Sequence, residues 1–356
     1  MKQVLVIGST VVDVIIHVDH LPQTQEDVHV LRQRMSLGGC AYNVSDMIRH
    51  FQVPYILFSP VGSGAYGDFV RAELSRRGVS TPIPSPEAEN GCCYCFVEPD
   101  GERTFLSYHG AEYRFERSWF QIPDDSAIDS VYLCGLEVEE PTGECIVEYL
   151  EAHPEYRIYF APGPRLTRIR RDLLARLFAL HPILHLNELE AFTFVWEMDR
   201  EKRKAAAEQD LCRKASEQNT CSNTAEQSIC SNTAEQNTRP NATVLNTCPD
   251  ATDQGTHLED VARQLLALTG NDVIITLGER GTFYCTPSES GCLPGIPAHP
   301  VDTIGAGDSH IGAIIACRQL GLSLPEAIRT ANRASAAVVE TEGALLSDEA
   351  FAQLEL

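Results

Sequence analysis

Positive charge is scarce in this sequence. Its 356 residues include 28 lysines and arginines against 50 aspartates and glutamates, a formal net charge of −22. Nucleic-acid backbones and anionic lipid surfaces are bound by basic surfaces, so we expect no nucleic-acid partner and no membrane partner. No segment approaches the ~20 consecutive apolar residues that a membrane-spanning helix needs. An anionic ligand would therefore have to be held locally, by backbone N–H groups or a bound metal.

Two motif classes are also missing. The 13 cysteines form no pair of CxxC motifs of the kind that frames a zinc site, and no GxxxxGK[ST] motif occurs, which excludes a P-loop nucleotide site. An odd number of scattered cysteines in a long chain argues against a disulfide framework and predicts a reducing, cytoplasmic location. With 43% apolar and 22% charged residues, the composition is that of an ordinary globular protein.

Residues 201–256 differ in composition from the rest of the chain. Ser, Asn, Thr, Gln and Glu replace the apolar periodicity found on either side, and the sequence CSNTAEQ occurs at 221–227 and again at 230–236. Two copies are too few for a repeat architecture. The composition predicts a disordered insertion, with a metal or redox role for its cysteines as the alternative.

The remaining chain alternates strand-like and helix-like segments, which predicts one α/β domain with a mostly parallel sheet covered by helices on both faces. The predicted strands are 4–8, 55–60, 130–133, 157–160, 183–186 and 273–277. The predicted helices are 41–51, 68–77, 142–152, 173–180, 258–268, 309–320 and 324–339. Two further segments, 14–34 and 91–114, have the extended, hairpin-like pattern of a small β-sheet lid beside the main sheet.

A formal GxGxxG motif is formed by Gly62, Gly64 and Gly67, between a predicted strand and a predicted helix. An NAD site would also need the motif to open the fold and an acidic residue about 20 positions further on. The region beyond is instead the proline-rich segment 81–86. A glycine-rich turn is therefore the better interpretation.

A second glycine-rich segment, D-T-I-G-A-G-D at residues 302–308, leads straight into a predicted helix. Gly305 and Gly307 let the backbone pass close to a ligand, and the N–H groups there point towards an anion together with the helix N-terminus. Asp308 would lie beside that anion. An Asp in the first turn can be merely a helix-start residue, but beside a phosphate it suits removal of a proton.

A third cluster comprises Gly38, Gly39 and Asn43 at the start of a predicted helix, with Asp13 just after the first strand. A Gly-Gly pair can simply mark a turn. Together with Asp13 and Asn43 it can instead bind a polyol, since hydroxyl groups need donors and acceptors at close range.

These residues resemble the two signatures of the ribokinase-like (PfkB) carbohydrate kinase family. Residues 302–308 match D-T-x-G-A-G-D at every fixed position, and Gly38, Gly39 and Asn43 match the N-terminal signature. NELE at 187–190 resembles the family's N-x-x-E element, and TLGERG at 276–281 resembles its T-x-G-x-x-G turn. The resemblance covers nearly the whole chain outside the insertion. It implies a three-layer α/β/α sandwich with a small β lid, and ATP-dependent phosphorylation of an alcohol.

The resemblance also implies a role for each matching residue. Asp308 would be the general base, and the backbone of Gly305, Ala306 and Gly307 would stabilise the transferred phosphoryl group. The implied substrate residues are Asp13, Gly38, Gly39, Asn43 and Glu137. The implied nucleotide residues are Thr276, Gly278, Gly281 and Asn332. The implied metal residues are Asn187 and Glu190 for Mg²⁺, partly through water, and Asp302 and Thr303, with Gly343, for a monovalent cation such as K⁺.

The sequence departs from the family at Ala161, where many relatives have an Asp before the proline. Arg165 nearby is open to two interpretations, a contact to an acidic or phosphorylated substrate or a surface position. We expect a free sugar as the substrate. A nucleoside, stacked on Tyr94, Phe96 or Tyr108 of the lid, is the alternative within the family. From another class, a non-catalytic sugar or nucleotide sensor on the same fold stays open. Because lids in this family often supply a dimer interface, we also expect a homodimer through the lid.

Overall fold

The computed structural model describes residues 2–99, 102–122, 125–220 and 254–354. The strands are β1 (Gln3–Ile7), β2 (Val11–His17), β3 (Arg32–Gly38), β4 (Tyr55–Phe58), β5 (Cys92–Val97), β6 (Arg103–Tyr108), β7 (Ile128–Cys134), β8 (Arg157–Ala161), β9 (Ile183–Asn187), β10 (Val273–Thr276), β11 (Thr282–Cys285) and β12 (Ser290–Leu293). The α-helices are α1 (Cys40–His50), α2 (Gly64–Arg76), α3 (Gly135–Glu139), α4 (Gly143–Glu151), α5 (Arg171–Phe178), α6 (Glu188–Thr220), α7 (Gln254–Thr269), α8 (Ala306–Gln319), α9 (Leu324–Val339) and α10 (Asp348–Ala352).

Eight strands form the central sheet, in the order β12-β11-β10-β9-β8-β7-β1-β4. The strands from β4 to β10 in that order are parallel, whereas β11 and β12 add an antiparallel edge. The predicted α/β class and all six predicted strands are confirmed. The two edge strands were missed by the sequence interpretation because each has only four residues, some of them small or polar.

Alternating apolar residues along each strand place helices on both faces of this sheet. In β1, Val4 and Val6 pack into a core with residues of α1, α8 and α9, whereas Leu5 and Ile7 pack into a second core with residues of α4, α5 and α7. Strands buried on both faces are characteristic of parallel sheets. The predicted three-layer arrangement is thereby confirmed.

A second sheet of four strands has the order β3-β2-β5-β6. Strand β2 pairs antiparallel with β3 and parallel with β5, and β5 pairs antiparallel with β6. This is the small sheet predicted from the extended segments, although β2 and β3 extend beyond 14–34 at both ends. We call this sheet the lid. It begins only three residues after β1, so it lies beside the carboxyl end of that strand.

The segment predicted as a disordered insertion is helical at both of its ends. Helix α6 continues to Thr220 and α7 begins at Gln254. The sequence EKRK at 201–204 explains part of this difference, because Glu, Lys and Arg are good helix formers despite their polarity. Residues 221–253, with both copies of CSNTAEQ, lie outside the described residues.

The strand order reverses direction at β1, with β4 on one side and β7 followed by β8 on the other. In open α/β sheets, ligands bind outside the carboxyl ends of the strands at such a switch point. None of the helices in the described ranges is both long enough and apolar enough to cross a membrane.

Candidate active site

A cavity of about 520 Å³ lies between the end of β10 and the start of α8. All four residues predicted to contact a nucleotide line this cavity, and so do two of the residues predicted to bind an anion. These lining residues are Thr276, Gly278, Gly281, Asn332, Ala306 and Gly307. The two motifs, separated by more than 20 residues in sequence, therefore form one space in the fold.

The turn at the β10 end depends on glycine. Gly278 has φ 61° and Gly281 has φ 98°, a region that other residues rarely adopt. A Cβ atom on Gly281 would also lie 2.1 Å from the Leu293 carbonyl oxygen. Asn332, in contrast, has both ends of its amide occupied: Nδ2 donates to the Pro294 carbonyl at 3.0 Å and Oδ1 accepts from Thr282 Oγ1 at 2.7 Å. Asn332 therefore holds the cavity wall together.

A buried histidine pair lies behind this wall and was not predicted. His310 lines the cavity, its Nδ1 is 2.9 Å from Nε2 of His185, and its Nε2 is 3.0 Å from Asn332 Oδ1. Burial lowers the pKa of His310 to about 4, so the pair is neutral at physiological pH. A histidine within a helix carries no sequence signal for such a contact, because its partner is 125 residues away.

Residues 302–308, which we call the anion loop, contain two glycines, and the structure gives a different reason for glycine at each position. Gly305 has φ 74°, and a Cβ there would lie 2.5 Å from the Ala344 Cβ, so the fold itself requires glycine. Gly307 is helical, and a Cβ on it would meet no protein atom within 4 Å. Its missing side chain leaves open space in the cavity. At this end of α8, Ala306 N donates to Thr303 O at 3.4 Å and Ser309 N donates to Gly305 O at 2.8 Å. N–H groups that precede the regular hydrogen bonds of a helix can bind an anion.

Asp308 lies in the first turn of α8 and contacts a residue from the other end of the chain. Its Oδ2 accepts a hydrogen bond of 2.8 Å from Nδ2 of Asn43, on α1. The pKa of Asp308 is raised to about 6, chiefly by burial and to a smaller extent by the negative charge of Glu190, while hydrogen bonds from Asn43 and Cys40 oppose the rise. At neutral pH this carboxylate is ionised and close to its pKa, which suits proton acceptance.

Asp13 lies on β2, and its carboxylate lies against Gly38 at the end of the neighbouring strand β3. A Cβ on Gly38 would lie 1.9 Å from Asp13 Oδ2, so this glycine makes room for the carboxylate. Burial raises the pKa of Asp13 to about 7, and the charges of Asp308 and Asp302 add to that effect. Gly39, with φ 99°, makes the turn from β3 into α1. The structure thus brings together Asp308 and Asn43 by a hydrogen bond, and Asp13 and Asp308 by their charges.

Glu137, at the start of α3, is fully buried. Its Oε1 accepts from Ser9 N at 2.8 Å, whereas Oε2 has no hydrogen-bond partner among the described residues. Burial raises its pKa to about 7. Three other buried polar atoms, Ser9 Oγ, Thr10 Oγ1 and Asn43 Oδ1, are likewise unpartnered in this part of the structure. Since native proteins pair nearly all buried polar atoms, the group suits a ligand rich in hydroxyls.

Asn187 and Glu190 form a reciprocal cap at the start of α6. Asn187 N donates to Glu190 Oε2 at 3.0 Å, and Glu190 N donates to Asn187 Oδ1 at 2.8 Å. Burial raises the pKa of Glu190, and its charge acts on Asp308. Within the described ranges, no three or more His, Cys, Asp or Glu side chains are grouped so that they alone could hold a metal ion. Mg²⁺ is often held by one or two carboxylates together with phosphates and water, so the pair fits that ion.

Asp302 does not fit a monovalent cation. Its Oδ1 accepts from Ile304 N at 2.8 Å and from the Arg103 guanidinium, and its Oδ2 accepts from Gly343 N at 2.9 Å. Arg103 therefore already supplies the positive charge that a cation would bring. Thr303 instead lines the cavity between β10 and α8.

Arg165, whose role the sequence left open, is paired within the protein. Its Nε and Nη2 donate to the two carboxylate oxygens of Glu139 at 2.5 and 2.7 Å. His109 is also engaged, with Nδ1 2.7 Å from Glu140 Oε1 and its ring stacked on Tyr113. Neither side chain is available to an acidic substrate.

The GxGxxG segment is explained by close packing of the backbone. A Cβ on Gly67 would lie 1.9 Å from the Gly62 carbonyl oxygen, and a Cβ on Gly62 would lie 2.5 Å from the Ala88 carbonyl oxygen. The interpretation as a glycine-rich turn is thereby supported, because these glycines are needed for contacts within the chain.

Comparison with known proteins agrees with this geometry. The family model described as pfkB family carbohydrate kinase matches residues 1–217 and 238–350. The chain therefore belongs to the PfkB family of carbohydrate kinases, phosphotransferases that use an alcohol as acceptor.

Among individual relatives, the chain is 28% identical over 342 residues to the uncharacterized sugar kinase YegV of Escherichia coli, covering 96% of this chain and 90% of that protein. Solved structures with the same fold include a ribokinase from Thermotoga maritima, with TM-score 0.71, 18% identity and coverage of 100% of this chain and 99% of that chain. A putative ribokinase II from E. coli, in complex with ATP and Mg²⁺, has TM-score 0.65, 20% identity and 99% coverage of both chains. At these identities the structural likeness concerns the fold.

Proposed function

We propose that this protein transfers the γ-phosphoryl group of ATP to a hydroxyl group of a free sugar, with Mg²⁺ as the metal. The observation that carries the proposal is the position of Asp308. Its carboxylate lies at the unobstructed start of α8, beside Gly307, and is held by Asn43. A proton acceptor thus lies beside an anion-binding helix terminus and next to the unpartnered polar atoms near β1.

Each group has a definite task in the transfer. The sugar hydroxyl oxygen attacks the γ-phosphorus, the bond from the γ-phosphorus to the β–γ bridging oxygen breaks, and ADP leaves with that electron pair. The hydroxyl proton passes to Asp308. Backbone N–H groups of Gly305, Ala306 and Gly307 stabilise the charge on the phosphoryl oxygens. Mg²⁺, held through Asn187 and Glu190 and partly through water, would screen the phosphate charges.

The charges around the substrate side favour a neutral sugar. Asp13 and Glu137 can accept hydrogen bonds from hydroxyl groups, and Asn43 Oδ1 is unpartnered. The cationic side chains Arg165 and Arg103 are both paired with carboxylates. A phosphorylated or acidic substrate would be repelled, whereas a polyol satisfies the acceptors.

The aromatic residues of the lid argue against a nucleoside. Tyr94 Oη is 3.1 Å from Tyr66 Oη, and Phe96 packs against the main core. Tyr108 alone of the three is largely exposed. A stacking surface for a base would need aromatic faces that are free, so we treat the nucleoside as an outcome of the test.

The test is an ADP-release assay with Mg²⁺ across neutral sugars, sugar phosphates and nucleosides. We expect turnover with one or a few neutral sugars. Turnover restricted to nucleosides or to sugar phosphates would overturn the substrate assignment. Sugar binding by calorimetry without ADP release from any acceptor would overturn the catalytic assignment.

Asp13→Asn is expected to weaken sugar binding and to stabilise the free protein at alkaline pH. The pKa of Asp13 is about 7 in the folded chain against 3.8 normally. A raised carboxyl pKa favours folding below pH 3.8, and this contribution is lost as the pH rises to 7. At pH 8, removing the charge should therefore raise the unfolding free energy by about 1–3 kcal/mol, and the gain should shrink towards pH 5.

Denaturant unfolding at both pH values checks this prediction, with the exposed Asp19→Asn as the matched control. If Asp13→Asn and the wild type had the same free energy of unfolding at pH 8, the charge of Asp13 would not destabilise the folded protein. Unchanged sugar affinity would remove Asp13 from the substrate site.

We also propose that the lid forms a homodimer interface. Thr104–Tyr108 of the edge strand β6 are all exposed, with Phe105 at 54%, Leu106 at 62% and Tyr108 at 57%. Exposed apolar edge strands invite pairing with another strand, and a second copy of the chain is the occupant we propose. Nine cysteines, all with side chains that the structure describes, are free thiols, which supports the proposed cytoplasmic location.

Leu106→Glu is expected to give a monomer by light scattering after size exclusion, because it places a charge in the proposed interface. Leu320→Glu, at another exposed leucine, is the control and should leave the mass unchanged. A wild-type monomer, or a dimer in both variants, would contradict the lid interface.

A further inference from the structure

An ion pair joins the lid to the anion loop. Arg103, the first residue of β6, donates to Oδ1 of Asp302, the first residue of the D-T-I-G-A-G-D segment. The side chains are only 14% and 3% exposed. Buried charges of this kind are retained when they are paired and hydrogen-bonded, as Asp302 is by two backbone amides as well.

A second, apolar contact lies beside the ion pair. Ile304, two residues after Asp302, packs against Ile15, Cys95 and Val97 of the lid. The loop leading to Gly305 is thus attached to the lid by both a charge pair and a small hydrophobic cluster. The position of the lid and the direction of the anion-binding amides are therefore mechanically linked.

The ion pair also compensates the negative charge that Asp302 brings to the loop. The carboxylates of Asp302 and Asp308 act on Asp13, because the charges of both raise the pKa of Asp13 in addition to the larger effect of burial. Gly343 N occupies Asp302 Oδ2, and the guanidinium with Ile304 N occupies Oδ1. A solution cation approaching Asp302 would meet a fixed positive charge of the same sign.

We propose that Arg103 is a positioning residue that takes the place of a monovalent cation at the anion loop, so that catalysis needs no K⁺ or Na⁺. This proposal rests on the proposed kinase function. The charge comes from the lid strand itself. Arg103 then contributes both to the placement of the lid and to the charge of the loop, and a freely exchanging ion would supply only the charge.

The first experiment measures sugar phosphorylation in choline, sodium and potassium chloride at equal ionic strength. We expect wild-type kcat to agree among the three salts within about twofold. Arg103→Gln leaves Asp302 buried and unpaired, so its kcat in choline should fall about 10²-fold through misplacement of the loop. Potassium should restore a substantial part of that loss, because the ion can now reach Asp302.

A binding readout separates this proposal from the kinase assignment. Thermal unfolding should show that potassium, compared with choline, raises the Tm of Arg103→Gln but leaves the wild type unchanged. The double variant Arg103→Gln/Asp302→Asn should lose this response, since no uncompensated carboxylate remains. Arg34→Gln is the matched control, because this lid arginine pairs with the exposed Glu342 at 3.2 Å. It should show no potassium response.

The outcomes are distinct. Strong potassium activation of the wild type, or an Arg103→Gln variant that is fully active and indifferent to salt, would overturn the proposal. A potassium-dependent Tm in Arg103→Gln would support the role of Arg103 even if no sugar were phosphorylated. The absence of sugar phosphorylation would count against the kinase assignment alone. If Arg103→Gln does not fold, Arg103→Lys is the second variant, because it keeps the positive charge. It should remain active in choline chloride. A potassium requirement of Arg103→Lys would also overturn the proposal.

Discussion

Asp308→Asn should lower kcat by about 10²–10⁴-fold and leave the fold and ATP affinity intact. The change keeps the size of the side chain and a hydrogen-bonding partner for Asn43, whose Nδ2 now donates to Asp308 at 2.8 Å. It removes the group that accepts the hydroxyl proton. Because burial and Glu190 raise the pKa of Asp308, losing this charge should also make the free protein slightly more stable at neutral pH.

Single-turnover phosphorylation measures the expected loss of rate, and calorimetry measures whether the affinity for ATP is unchanged. Asp68→Asn, on the exposed side of α2, is a matched change that should leave kcat unaltered. Turnover near that of the wild type in Asp308→Asn would remove Asp308 from the role of base. Loss of ATP binding would instead indicate a contact to the nucleotide.

Gly307→Ala should give a protein that is more stable and much less active. No protein atom lies within 4 Å of the added Cβ, and alanine in a helix is favoured over glycine by roughly 0.5–1 kcal/mol. The methyl group would project into the cavity where phosphate approaches the amides. The backbone N–H stays, but the methyl group should keep phosphate from reaching it, and the loss of one such contact costs about 10²–10³-fold in kcat.

Gly305→Ala provides the contrast. Its Cβ would lie 2.5 Å from the Ala344 Cβ, at φ 74°, so this variant should lose stability as well as activity. Denaturant unfolding and steady-state kinetics on both variants separate the two cases. If Gly307→Ala keeps full activity, the start of α8 is not the phosphate site.

The fold was largely predictable because its signals are local. Buried parallel strands such as 183–186 are short apolar runs, and α9 has clear helical periodicity. The part of helix α6 beyond residue 200 was missed because its polar composition resembles that of a surface loop. Strands β11 and β12 were missed because four-residue edge strands carry little pattern.

The site was predictable only where a contiguous motif carried it. Residues 302–308 indicated an anion loop and a base from their own spacing. The residues that contact this loop could not be predicted from the spacing, because Arg103 is 199 residues from Asp302 and Asn43 is 265 residues from Asp308 in the sequence. Asn43 could be linked to the loop only through the family resemblance. The neutral pair of His185 and His310 had no signal of any kind.

The most direct test of the central claim is mass spectrometry of sugars incubated with the purified protein, ATP and Mg²⁺. We predict a singly phosphorylated neutral sugar whose formation needs ATP and is nearly abolished by Asp308→Asn. A panel of neutral sugars that all remain unmodified, while the protein binds ATP and is folded, would contradict the claim.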